Sequence, residues 1–377
     1  YLMLISLTAM AGAILNTYGY FGVPAFTPVI LNICMIIAAL YVSPHFQQPV
    51  MALAWGVLIA GVMQLLFQIP FLMHRKLLIK PSLMMTDPGV RRVLKLMVPA
   101  LFGVSIAQIN LLIDTIFASF LKVGSVTWLF YTDRLVDFPL GIFGVAIATV
   151  ILPHLSRRHT EQNVEHFSRA LDWGLRLLVL LGVPAGLGLI IFSMPLIASC
   201  FTYGVFNAND LLQTQRSLIT EALGLPAFMI IKVLATGFYA GQNIKTPVKV
   251  GAVAMLANTI LCALLVVPLA HAGLTLASAI ASYLNCGVLL YLLLHRGIYK
   301  PLPGWSRFLL QLTVASGVMS TYLYFMTENV SFWLDKPLGM RLTLILAHVF
   351  AALVIYLLSL RLCGMKLAQF RGQMKGA

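Results

Sequence analysis

Three ionisable residues interrupt an otherwise apolar run in "WLFYTDRLVDFPLG", residues 128–141: Asp133, Arg134 and Asp137. Arg134 and Asp137 are three apart and Asp133 and Asp137 four apart, spacings that place the pairs on neighbouring faces of one helix. A guanidinium held there offers forked donors that stay protonated, the chemistry that meets a phosphate or carboxylate where water is scarce. Arg134 lies about 10 Å from the nearer end of the run at ~1.5 Å per residue, so it can also be read as snorkelling outward with Asp137 beside it. Charges at such depth more often face a bundle interior or a wet cavity, where they mark a ligand pathway. The same run continues "FPLGIFGVAIATV", in which Pro139 frees a carbonyl and Gly141 and Gly144 permit close helix approach.

A second polar set is thinner. Asp114, in "NLLIDTIFASF", must be protonated, paired or cation-bound at its depth. Asn258 and Ser278 lie at mid-depth of later runs and could complete an oxygen cage for sodium with Asp114; unrelated interhelical hydrogen bonds are the plainer reading. Lys232, in "FMIIKVLATGFYAG", either lines the same cavity as Arg134 or pairs with a carboxylate such as Asp114. Asp172 and Arg176, four apart, read as a structural ion pair, and Arg216 and Glu221 as side chains reaching headgroups from the end of a span. The eight histidines are scattered, and neither HExxH nor GxxxxGK[ST] occurs, so no catalytic residue is assigned and the chain is not read as an enzyme.

The elements that must hold these groups follow from composition. With 60% hydrophobic residues, 10% charged and a mean hydropathy of +0.94, the solvent is a bilayer. Eleven apolar runs, each about long enough to cross ~30 Å of hydrocarbon, fall at 1–16, 24–43, 51–73, 97–121, 128–152, 171–200, 217–240, 248–268, 273–294, 306–326 and 342–362. The run at 171–200 contains Pro184, Gly186 and Gly188 and reads as one kinked helix. No run alternates in polarity, which excludes a β-barrel. The fold class is an all-α polytopic membrane protein.

Counting Lys and Arg in alternate connections orients it. Eighteen of the 25 fall on one side, from Arg75 to Lys375, against Lys122, Lys336 and Arg341 on the other, so the first side and the C-terminus are cytoplasmic. Basic loops beside anionic headgroups account for the +14 charge without nucleic acid. Trp128, Trp173, Trp305 and Trp333 lie near span ends, as in an interfacial aromatic belt. The five cysteines sit in apolar runs and read as packing residues. The basic tail from Cys363 reads as a short surface helix or a solvated end. "LNTYGYFGVP" and "FYAGQNIKTP" each turn out of one span into the next at a proline, six spans apart. A repeat at that offset would be parallel and would leave three helices missing from the first half. Tyr1 already lies in an apolar run, so the sequence reads as beginning partway through a larger protein.

The segments "YTDRLVDFPLGIFGVAIATVILPHLSR", "LDWGLRLL", "IKVLATGFYAGQNIKTPVK", "LAHAGL" and "VPAFTPVILN" closely resemble the MurJ (MviN) family of lipid II flippases, in the multidrug/oligosaccharidyl-lipid/polysaccharide exporter superfamily. The resemblance spans the whole chain in order. It implies fourteen helices, two six-helix lobes around a cationic cavity and a final pair forming a lipid-facing groove, with this chain starting at the fourth helix and supplying eleven. On that map residues 1–73 finish the first lobe, 74–96 form a basic linker, 97–296 form the second lobe and 297–377 the final pair and tail. It implies a monomer of the bacterial inner membrane that carries undecaprenyl-diphosphate-linked disaccharide pentapeptide outward by alternating access. Arg134, Asp133 and Asp137 match its substrate-binding positions; the residue reading adds Lys232 to them and offers Asp114, Asn258 and Ser278 as a site for sodium as a coupling ion. The family's other cavity arginines belong to its first two helices, so a chain of these residues alone is not expected to flip lipid. Rival readings are export of another polyprenyl-linked glycan or of drug cations, and a membrane glycosyltransferase, which should carry a carboxylate in a large outer loop.

Overall fold

The computed structural model describes residues 1–77, 87–148, 164–241 and 243–365, and the described residues are helical with short connections. The chain divides into two compact units, Tyr1–Val93 and Leu94–Ala377. Each of the eleven apolar runs carries helix. Seven helices are long and apolar enough to cross a membrane among the described residues, or eight if one bent pair counts as a single span. The basic tail beyond Met365 lies outside the described residues.

In the first unit, α1 (Leu2–Thr17) and α2 (Gly22–Ile37) both pack on α3 (Pro49–His74). Without a hydrophobic drive between helices in lipid, small residues and polar bonds hold such contacts. Gly56 of α3 sits where an added Cβ would lie 2.7 Å from the Cβ of Ala38. Gln64 and Gln68, both buried, donate to the Thr27 carbonyl (3.1 Å) and Oγ1 (2.9 Å).

The second unit begins within α4 (Pro88–Ser119), at Leu94, and continues with α5 (Ser125–Pro139), α6 (Val164–Ile191), α7 (Ser193–Cys200), α8 (Ala208–Ala222), α9 (Leu225–Ala240), α10 (Lys245–Leu269), α11 (His271–His295), α12 (Trp305–Met326), α13 (Val330–Leu334) and α14 (Leu338–Leu362). α4 starts at Pro88, so Arg91, Arg92 and Lys95, expected in a linker, lie on its first turns. α5 passes directly into a π-helical segment, Leu140–Val145. There Gly144 is buried against Met229, whereas Gly141 is exposed with nothing near it.

The run at 171–200 is two helices, correcting the single kinked one. Pro184 sits inside an unbroken α6, and the break falls at Phe192. Pro195, in the first turn of α7, has no N–H to offer the Ile191 carbonyl, and Thr327 Oγ1 donates to that carbonyl instead at 3.3 Å. The expected span at 217–240 also differs. α8 begins nine residues earlier, behind a capping box in which Asn207 Oδ1 accepts from Asn209 N and Asp210 N while Asp210 Oδ2 accepts from Asn207 N. The helix then bends by 40° into α9 at Leu223–Gly224. Pro226 cannot donate to the Ala222 carbonyl, and Tyr283 Oη donates to Leu223 O at 2.9 Å, satisfying a carbonyl the bend exposes.

α10 and α11 form a hairpin joined through Ala270 alone, at φ 51° and ψ −132°. A Cβ on Gly273 would collide with the Leu265 backbone carbonyl, so glycine sets how closely these helices meet. Gly273→Ala is expected to cost about 1–3 kcal/mol or more, because backbone rather than a flexible side chain must move. A lowered thermal midpoint of the purified protein checks it, and an unchanged one would refute it.

Asp172 ties α6 to the connection before α12. It pairs with Arg176 (Nε to Oδ2, 2.6 Å), and its Oδ1 accepts from Tyr299 Oη (2.7 Å), Trp305 Nε1 (2.8 Å) and Leu302 N (3.2 Å). Arg176 Nη2 donates onward to the Leu302 and Pro303 carbonyls, and its guanidinium lies 5.1 Å from the Trp305 ring centre. Burial, helped by the bond to Asp172, pushes the Tyr299 phenol well above its ordinary value, so it stays a donor. The expected structural ion pair is thus the centre of a larger network, and α12 and α14 share one core with α6.

The tryptophans are not a lipid-facing belt. Trp128, Trp173 and Trp333 are buried, and Trp305 is partly buried in the Asp172 network. Trp128 Nε1 donates to Asp210 Oδ1 at 2.9 Å and its ring lies 4.9 Å from that of His271, whose Nε2 donates to Gln213 O. The indole therefore joins α5, α8 and α11 at one end of the unit, using the polar atom that membrane depth makes costly to leave bare.

Candidate functional site

α5 presents Phe130, Asp133, Arg134 and Asp137 at positions i, i+3, i+4 and i+7, one continuous stripe. Its other side, Trp128, Thr132 and Val136, is buried. Thr132 Oγ1 donates to Trp128 O (3.0 Å) within the helix and to Thr214 O (3.3 Å) on α8, fixing the rotation that turns the charged stripe away from the core.

The stripe faces a cavity of ≈ 740 Å³ within the second unit. α4 contributes Asn110 and Asp114, the end of α8 contributes Glu221, α9 contributes Phe228, and α11 contributes Thr275 and Ser278. The Arg134 side chain is 60% exposed, with Nη1 3.7 Å from Asp137 Oδ2 and the guanidinium 4.7 Å from the Phe130 ring centre. A 3.7 Å pair with both partners open contributes little, about 0–1 kcal/mol, so Asp137 orients Arg134 without consuming its donors. The fork is free to take a ligand anion.

Asp114, Asn258 and Ser278 lie side by side, from α4, α10 and α11. Asp114 Oδ1 accepts from Asn258 Nδ2 (3.0 Å), and Ser278 Oγ donates to Asn258 Oδ1 (3.3 Å). Two further residues join them. Asn110 Nδ2 donates to Asp114 Oδ2 (3.2 Å) while its Oδ1 accepts from Asn258 (3.0 Å), and Cys262 Sγ donates to Asp114 Oδ1 (3.4 Å). Both were legible as one-turn neighbours, Asn110 of Asp114 and Cys262 of Asn258. Cys262 is therefore more than a packing residue. The hydrogen-bonded reading of this cluster and the cation reading use the same oxygens.

Lys232 differs from both expectations. It is exposed on α9, one turn beyond Phe228, is not among the residues lining the cavity, and forms no ion pair among the described residues. Asp114 takes its bonds from amides and a thiol instead. Glu221 is the residue the sequence reading misplaced. Far from reaching headgroups, it ends α8 at the bend, its Oε2 is sealed from solvent, and its carboxyl lies in hydrogen-bonding contact with Asp133.

A polytopic helical bundle with a guanidinium and several carboxyls on the wall of a half-open cavity is built as a membrane transporter. The chain belongs to the lipid II flippase MurJ family, whose profile matches residues 1–359. It is 43% identical to the probable lipid II flippase MurJ of Vibrio cholerae over 372 residues, covering 98% of this chain and 71% of that protein. It is also 43% identical to the lipid II flippase MurJ of Burkholderia cenocepacia, covering 100% of this chain and 74% of that one. The fold is similar to a solved lipid II flippase MurJ in an inward closed conformation, with a TM-score of 0.76 and 26% identity over 94% of this chain and 70% of that chain.

Proposed function

We propose that this protein moves lipid II across the bacterial inner membrane by alternating access, with Arg134 meeting the lipid's diphosphate in the cavity of the second unit. The observation that carries the reading is Arg134 itself, open to a ≈ 740 Å³ cavity with only a loose ion pair beside it. A forked guanidinium matches two phosphate oxygens at once and does not lose its proton to the low dielectric. Asp137 positions it while the cavity is empty and yields when the anion arrives. The bias of basic residues toward one set of loops supports a cytoplasmic C-terminus. Purified protein should bind lipid II in competition with inorganic pyrophosphate. Retained competition in Arg134→Ala would remove Arg134 from the role.

Export of drug cations draws some support from the lining, where Asp114, Asp133, Asp137 and Glu221 outnumber Arg134. Family membership outweighs it, and a cation that competes with lipid II would reverse that judgement.

Sodium is the proposed coupling ion. Asp114, Asn110, Asn258 and Ser278 supply oxygens of the kind a hard cation takes, and a half-turn of the Asn258 amide would exchange its nitrogen for oxygen toward Asp114. When bound, the ion would supply positive charge between α4, α10 and α11. Sodium at a hundred times its dissociation constant should stabilise the purified protein by about 2.7 kcal/mol relative to choline, and Asp114→Asn should abolish the difference. An equal sodium effect in that variant would rule the site out.

A further inference from the structure

We infer that Asp133 and Glu221 form a proton-binding site that sets the charge facing Arg134, a role that rests on the cavity's being a site for an anionic lipid head. The two carboxyls are in hydrogen-bonding contact across the seam between α5 and the end of α8, and Glu221 Oε2 is shut off from solvent with no donor to meet it. Two carboxylates have no hydrogen to place between them and repel at contact; one proton turns the contact into a strong hydrogen bond. One residue before Glu221, Thr220 Oγ1 lies 2.6 Å from Thr275 Oγ1, which ties the end of α8 to α11. The titratable groups facing the pair are Arg134 and Asp137 on α5 and Asp114 on α4, one cation against two more acids. From α9 and α11 come Phe228, Thr275 and Ser278, which carry no charge. Among the described residues a single cation, Arg134, faces this wall, too few to balance two ionised carboxylates side by side and the two further acids.

The site answers how a lining with four carboxyls can hold an anion at all. With the shared proton, the pair carries one negative charge; without it, two, the second directly beside Arg134 and in competition with the diphosphate. Proton and anion therefore favour the same state of the cavity, and by linkage each strengthens the other's binding by the same factor. The proton comes from cavity water, binds one carboxyl oxygen and returns to water when the anion leaves, with no other bond changed.

Infrared difference spectroscopy of the purified full chain tests the site without substrate. At neutral pH the wild type should show the C=O stretch of a protonated carboxyl shielded from solvent, and both Glu221→Gln and Asp133→Asn should lose it, since each replacement amide can donate to the remaining carboxylate. No such band in the wild type, or a band surviving in both variants, would overturn the proposal while leaving lipid transport untouched. Binding of inorganic pyrophosphate then reads the coupling. Its affinity should fall roughly tenfold as pH rises through the titration in the wild type. In Glu221→Gln the fall should be absent; an identical pH profile in that variant would refute the link to Arg134.

Discussion

Asp172→Ala is expected to be among the most destabilising single changes in this chain, costing about 3–5 kcal/mol. Asp172 is 1% exposed, and its removal strips the partner from Arg176 and the acceptor from Tyr299, Trp305 and Leu302 N together. Each orphaned buried donor adds a desolvation penalty of its own, about 1–3 kcal/mol where no water can enter. Asp172→Asn keeps an acceptor oxygen and the volume while losing the charge, so it should fall between the wild type and alanine. Tyr299→Phe, which deletes one bond of the set, should cost only about 1 kcal/mol. Thermal unfolding in detergent gives the ranking. Equal midpoints for Asp172→Ala and Tyr299→Phe would show that the network is not a unit.

Arg134→Ala in the full-length protein is expected to abolish growth when it is the cell's sole lipid II flippase. Truncating one partner of a desolvated, hydrogen-bonded charge pair costs roughly 2–5 kcal/mol, or about thirty- to several-thousand-fold in affinity. Arg134→Lys retains a cation on a flexible stem but not the fork, and should support slow growth at best. Protein levels must be compared first, because the 60% exposed side chain predicts little effect on stability. Alanine strains that grow like wild type at equal abundance would refute the assignment.

The charged stripe of α5 was legible because a helix repeats every 3.6 residues and three charges in an apolar run stand out. Glu221 is not, because the apolar run alone begins at 217 and leaves it near an outer end. The signal was present in "NAND", residues 207–210, where Asn and Asp three apart form the capping box. With α8 begun there, Glu221 lies about 20 Å along the helix at 1.5 Å per residue, well away from its outer end. The tryptophans misled for a different reason. Position near a span end is shared by residues that anchor to lipid and residues that tie helices together, and only the partner of the indole N–H, Asp210 for Trp128, separates the two. Lys232 shows the same limit, since one lone cation in an apolar run does not reveal which side of its helix is covered.

The π-helical turn at Leu140–Val145 begins one residue after Pro139 and three after Asp137. A widened ladder next to a residue with no N–H is the softest stretch of an otherwise stiff rod. Tilting of the Arg134 end by a few degrees can be absorbed within Leu140–Val145. A flex at this elbow would leave α5 fastened to α8 through the Trp128–Asp210 and Thr132–Thr214 bonds.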